Sequence, residues 1–140
     1  MAPETAALAA IARGQGELIL LAEDEELVRR AAVRILERHG YLVLAAEDGE
    51  QAADLFAAHV PEVRLLITDV IMPRMGGRRL VEHVRTLNPT VPVLCTSGYA
   101  ERVSDVDRML PEGVPFIHKP WRSAELLAQV RQLIDGALIG

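Results

Sequence analysis

The 140-residue sequence holds a single cysteine, Cys95, which excludes an internal disulfide framework and any zinc site built on cysteines. It holds no apolar run near the roughly 20 residues that span a bilayer; Leu18–Ala22 and Tyr41–Ala46 are typical of its short runs. Basic residues are in the minority, 15 Lys+Arg against 20 Asp+Glu, and a formal charge of −5 is the wrong sign for a nucleic-acid module. A secretory signal is missing too: no basic region precedes an apolar stretch, and the Ala-rich start carries Glu4. Lysine is nearly absent. Lys119 is the only one, and every other residue in the Lys+Arg total is arginine. What remains, half apolar and a quarter charged, is one globular domain. It is expected in the cytoplasm, with no membrane insertion and no nucleic-acid partner.

Residues 1–16 read as an N-terminal extension or linker. Pro3 to Arg13 is Ala-rich and helix-competent, with a thin apolar face, and Gly14-Gln15-Gly16 breaks it. Beyond it, short apolar runs alternate five times with amphipathic stretches. Strands are predicted over Leu18–Ala22, Tyr41–Ala46, Val63–Thr68, Val91–Thr96 and Val114–Ile117. A first helix over Glu25–His39 is expected to bury Val28, Ala31, Ala32, Ile35 and Leu36, and Gly40 stops it. Asp48 followed by Gln51 signals the start of a second, Asp48–His59. Leu80, Val81, Val84 and Leu87 mark a third, ended by Asn88-Pro89, and Val103, Val106 and Leu110 a short, weakly periodic fourth, ended by Pro111. Ser123 caps a fifth, with Leu127, Val130, Ile134 and Leu138 on its buried face. Apolar strands separated by helices mean an α/β fold, a doubly wound parallel sheet with five helices. Pro115 places the fifth strand at an edge.

In open α/β sheets, sites form at the carboxyl ends of strands. Those positions hold Glu23 and Asp24 after the first strand, Asp69 after the third, Ser97 after the fourth and Lys119 after the fifth. Each has an ordinary reading alone, as a helix-start carboxylate or a turn residue; their joint placement does not. Like charges about 4 Å apart repel by about 4 kcal/mol at an effective dielectric near 20. Three carboxylates therefore call for cations: Lys119 supplies one charge and a divalent ion the rest. All-oxygen ligands with few protein donors favour Mg²⁺, and Mn²⁺ would satisfy the same set. Such a site binds a phosphoryl group, and one carboxylate can attack phosphorus to form an acyl phosphate.

Leu-Leu-Ala-Glu-Asp-Glu, Asp69-Val-Ile-Met-Pro-Arg-Met-Gly-Gly, Thr-Ser-Gly and His-Lys-Pro-Trp, in this order and spacing, resemble the receiver domain of two-component response regulators. The resemblance covers residues 17–138. Gly14-Gln-Gly-Glu before the first strand and Ser97-Gly-Tyr-Ala after the fourth look most like receivers of hybrid sensor histidine kinases. It implies a flavodoxin-like sheet of strand order 2-1-3-4-5. It implies that Asp69 is the phospho-acceptor, taking its group from a phosphohistidine on a sensor histidine kinase or a histidine phosphotransfer protein. Asp24, Asp69 and the backbone carbonyl of Ile71 would ligate Mg²⁺, with Glu23 acting through a water. Ser97 would be the switch hydroxyl, Phe116 the switch aromatic, and Lys119 the partner of Asp69 and then of the phosphoryl group. The Lys119–Pro120 bond would be cis, and Gly98 and Tyr99 would be secondary site residues. A compact ammonium suits that role better than an Arg fork, which agrees with Lys119 being the sole lysine.

The chain departs from the family pattern at Glu23, where Asp is usual, and at Trp121, where Phe is commoner and packing is the expected role. Ile71 and Tyr99 flank the expected path of a hydrolytic water and neither is well suited to orient one, so slow self-dephosphorylation is expected. His39, His59, His83 and His118 lack ligand spacing and read as surface or helix-end residues. Cys95 reads as a small buried apolar residue. Gly14-Gln-Gly16 precedes a strand, which rejects a dinucleotide fingerprint.

The expected function is a phosphorelay receiver, a signalling switch rather than an enzyme acting on a substrate, with a downstream protein or a second copy of itself as further partners. The ending just past the fifth helix suits a stand-alone receiver or a hybrid-kinase module. An aspartate-nucleophile phosphatase would want an acid at Ile71 and a cap. A flavodoxin would want a hydroxyl- and Gly-rich loop where Glu23-Asp24-Glu25 stands. A receiver-like docking domain that is never phosphorylated would not need the full site.

Overall fold

The computed structural model describes residues 10–98 and 113–139, with side chains to residue 137. The expected fourth helix, Tyr99, the Leu138 side chain and most of the Ala-rich start lie outside the described residues. The elements are β1 (Leu18–Ala22), α1 (Glu26–Arg38), β2 (Leu42–Ala46), α2 (Gly49–Ala58), β3 (Val63–Asp69), α3 (Gly77–Leu87), β4 (Val93–Ser97), β5 (Phe116–His118) and α4 (Ser123–Ile139). All strand pairs are parallel, in the order β2-β1-β3-β4-β5. This is the flavodoxin-like arrangement, with β5 at an edge.

Strand alternation sends neighbouring residues to opposite faces of the sheet. Leu20, Ala22, Leu66, Val93 and Cys95 pack with Ala52, Ala53 and Phe56 of α2 and Leu80, Val81 and Val84 of α3. Ile19, Leu21, Leu65, Ile67, Leu94 and Ile117 pack with Ala32 and Leu36 of α1 and Leu126, Leu127, Val130 and Ile134 of α4. Each fully buried Leu, Ile or Phe contributes about 1.5–3 kcal/mol relative to exposure. The first-helix expectation needs one correction, at Ala31. Ala31 is exposed, and so is Leu27, because α1 turns its Leu36 face, not its Ala31 edge, to the sheet. β2 lies at the other edge of the sheet, and its first residue, Leu42, is exposed.

Local chemistry explains the ends. Asp48 caps α2, its Oδ1 accepting the Gln51 N–H at 2.8 Å, while Gln51 Oε1 accepts the Glu47 N–H at 2.6 Å. Gly40 stops α1 with φ +96°, a conformation glycine takes freely. Residues 14 and 16 are tied to the end of α1: their N–H groups donate to the carbonyls of His39 and Gly40, each at 2.8 Å. Arg131 of α4 reaches the same segment, bonding Glu17 at 2.8 Å and the Arg13 carbonyl at 3.4 Å.

Candidate functional site

Four elements deliver the side chains, all at the carboxyl end of the sheet. β1 leads into Glu23 and Asp24, β3 ends on Asp69, β4 ends on Ser97 and β5 leads into Lys119. Carboxylate oxygens of Glu23, Asp24 and Asp69 lie within 4.8 Å of one another. Lys119 Nζ donates to Glu23 Oε1 and to Asp69 Oδ2, both at 2.9 Å. The Lys119–Pro120 peptide is cis. The Lys119 N–H also donates to the Ser97 carbonyl at 2.7 Å, which holds the β4 and β5 ends together.

Burial sets the electrostatics. Glu23 and Asp69 are buried, whereas Asp24 is exposed at the mouth. Burial pushes the Glu23 carboxyl up to about 7, against the pull of Lys119 and the Glu25 N–H. Asp69 moves up for the same first reason, opposed by Lys119 and assisted by the charge of Asp24. Burial works against the Lys119 charge, but its two carboxylate bonds outweigh it and hold the ammonium above its ordinary range. Burial also pushes the Cys95 thiol up to about 12, so Cys95 is an inert packing residue.

Three carboxylates face one ammonium, and Asp69 Oδ1 is buried without a hydrogen-bond partner among the described residues. An orphaned buried carboxylate oxygen costs energy unless a cation or electrophile meets it. The acidic cluster could hold a metal, and its hard oxygen donors suit a small divalent cation.

Of the remaining predicted residues, Tyr99 lies outside the described ones. Ile71, two residues past Asp69, is 51% exposed. Between them the loop folds back: the Gly77 N–H donates to the Val70 carbonyl at 2.8 Å, and a Cβ on Gly77 would stand 2.5 Å from the Asp69 carbonyl. Ser97 is fully buried and Phe116 half-buried. Gly98, Lys119, Pro120 and Trp121 line one side of a cavity of about 440 Å³, with Leu27, Val28 and Ala31 of α1 on the other.

Sequence reasoning passed over two residues. His118 Nδ1 lies 2.9 Å from Ser97 Oγ, and its ring meets Phe116 edge-on. The only signal was its place beside Lys119 at a strand end. Arg74, in the left-handed region at φ +68°, pairs with Asp48 at 2.5 Å and straps the loop after β3 to the start of α2. Of the other histidines, His39 caps α1 but is buried, not at the surface, and His59 caps α2 and pairs with Glu62.

Residues 19–131 match the family model described as the response regulator receiver domain. The chain belongs to this family. Among its relatives, the sensor kinase CckA of Brucella abortus is 34% identical over 119 residues, 84% of this chain and 12% of that protein. The response regulator MprA of Mycolicibacterium vanbaalenii is also 34% identical, over 83% of this chain and 49% of that protein. A solved structure of the receiver domain from the hybrid histidine kinase CckA shares 36% identity with a TM-score of 0.71, covering 84% of this chain and 98% of that one. The chain thus spans half or less of the two full-length relatives, one a kinase and one a response regulator. It is a two-component receiver domain, similar both to response regulator receivers and to a kinase receiver. Among the described residues, no helix is long and apolar enough to cross a membrane.

Proposed function

We propose that this receiver, residues 17–138, accepts a phosphoryl group from a phosphohistidine onto Asp69 and works as a conformational switch. The observation that carries the reading is the Asp69 carboxylate, buried, with Oδ2 held by Lys119 and Oδ1 without a partner among the described residues, beside two further carboxylates. An Asp69 oxygen attacks phosphorus, the P–N bond of the donor breaks, and the imidazole leaves with the electron pair. Lys119 moves from the carboxylate to the incoming phosphoryl oxygens, and the Ser97 hydroxyl donates to another. Asp24 and Asp69 would hold Mg²⁺ with the Ile71 carbonyl, and Glu23 would reach it through a water. When bound, the cation neutralises the phosphoryl oxygens. Glu23 has both oxygens engaged, Oε1 by Lys119 and Oε2 by the Glu25 N–H at 3.1 Å, which suits an indirect contact.

The donor is a sensor histidine kinase or a histidine phosphotransfer protein, met in the cytoplasm. Its seat is the apolar cavity beside the acceptor, where Leu27 is 82% exposed and Lys119 lines both cavity and site. The deciding experiment is the intact mass of the chain after incubation with a small-molecule phosphodonor, with and without Mg²⁺. Wild type gains one phosphoryl group only with the cation, and Asp69→Asn gains none. No gain in wild type would leave a docking domain that is never phosphorylated.

A further inference from the structure

The phosphotransfer reading leaves His118 without a role, yet its side chain touches both residues assigned to the switch. β4 and β5 pair so that Ser97 lies opposite His118, and His118 Nδ1 meets Ser97 Oγ at 2.9 Å. Phe116 and His118 are two apart on β5 and share a face. Their rings meet at 5.3 Å between centroids with planes at 89°, an edge-to-face contact. Ser97 is fully buried, whereas His118 is exposed at the sheet edge. A serine hydroxyl has one proton to donate. While that proton is directed at Nδ1, it is withheld from a phosphoryl oxygen.

We propose that His118 is a positioning residue that latches the switch: its Nδ1 holds the Ser97 hydroxyl and its ring holds Phe116 in the unphosphorylated domain. Phosphorylation of Asp69 must redirect the Ser97 proton from Nδ1 to the phosphoryl oxygen, and the freed imidazole then releases Phe116. His118 is thereby the link through which a change at the acceptor is felt at the sheet edge. The coupling is reciprocal, so weakening the latch eases engagement of the phosphoryl group. The inference rests on Asp69 being the phospho-acceptor.

The test uses the full chain with a small-molecule phosphodonor and Mg²⁺, following side-chain ¹⁵N signals of His118 together with intact mass. In the free chain Nδ1 is expected to read as an unprotonated acceptor with the proton on Nε2. On phosphorylation the Nδ1 signal shifts, and Phe116 ring signals shift with it. His118→Phe keeps a ring against Phe116 but removes the acceptor, and it should gain the phosphoryl group about two- to tenfold faster, the range of one net hydrogen bond. Should that variant fail to fold, the wild-type ¹⁵N signals decide alone. Mass gain in wild type with an unmoved Nδ1 signal, or a folded His118→Phe that is no faster, overturns the latch and leaves the acceptor assignment standing. No mass gain in wild type overturns both.

Discussion

Glu23 and Asp69 share one ammonium, and that arrangement makes the metal-free site sensitive to pH. The Glu23 carboxyl lies near 7 when folded, against about 4.5 when unfolded, because burial disfavours its charge. A raised folded value means that the folded state binds the proton more tightly. Its contribution to stability is therefore complete below about pH 4.5 and lost as pH rises towards about 7. Asp69 acts in the same sense. Asp48 is shifted the opposite way, held low first by the Gln51 N–H and also by Arg74. The urea midpoint of the metal-free chain is thus expected to fall between pH 5 and 7.5. Added Mg²⁺ should raise it more at the upper end, since the cation binds ionised carboxylates. A midpoint flat across that interval would contradict the burial argument. Two residues past Asp69, the half-exposed Ile71 side chain has no group that can orient a water. The Asp69 phosphoryl group is expected to be long-lived, and Ile71→Asn should shorten its half-life severalfold. An unchanged or longer half-life, followed by mass, would count against a water path over Ile71.

The elements show where prolines and close contacts overrule hydrophobic pattern. β4 begins at Val93 rather than Val91, and β5 at Phe116 rather than Val114, because Pro92 and Pro115 have no N–H for the ladder. Their carbonyls still take part: Pro92 accepts from Leu66 and Pro115 from Cys95, both at 3.0 Å. α2 begins as its Asp48…Gln51 signal predicts, yet the same Asp48 also receives Arg74 from the loop after β3. Spacing does not reveal such a pair, since 26 residues separate its members. Gly49, at the first turn of α2, has the Met75 backbone so close that a Cβ there would overlap its carbonyl. Gly49→Ala must push the loop away from α2. We expect a loss of about 1–3 kcal/mol in urea unfolding, the usual cost of overpacking. Retention of wild-type stability would show that the loop yields freely.

The whole molecule is a parallel sheet covered on both faces, with its chemistry at one end and a tied-down entry segment at the other. The exposed Leu27 and Ala31, beside Val28, Pro120 and Trp121, leave an apolar patch next to Lys119. A protein donor would cover that patch, whereas a small phosphodonor has no use for it. Leu27→Glu is therefore expected to slow phosphotransfer from a phosphorylated histidine kinase about tenfold or more, as a charge at a contact core does. It should leave labelling by a small-molecule phosphodonor unchanged. Equal rates from both donors in wild type and variant would place the donor elsewhere.

Much of this was written in local order along the chain. The runs Leu18–Ala22 and Val63–Thr68, the Asp48 cap and the Asp-x-x-Met-Pro segment specify strands, helices and the loop that follows Asp69 because each depends on neighbours within a few residues. The convergence of Glu23, Asp69 and Lys119 was also legible, since parallel strands put all their carboxyl ends on one side. Distances and burial were not legible. That Glu23 takes Lys119 directly, that Asp69 Oδ1 has no partner among the described residues and that His118 reaches Ser97 depend on strand register and side-chain packing. So does the outward turn of Leu27, which a helical period allows but only the docking of α1 on the sheet decides. Local signals set what each segment becomes; desolvation and proximity between distant segments set what its side chains can do.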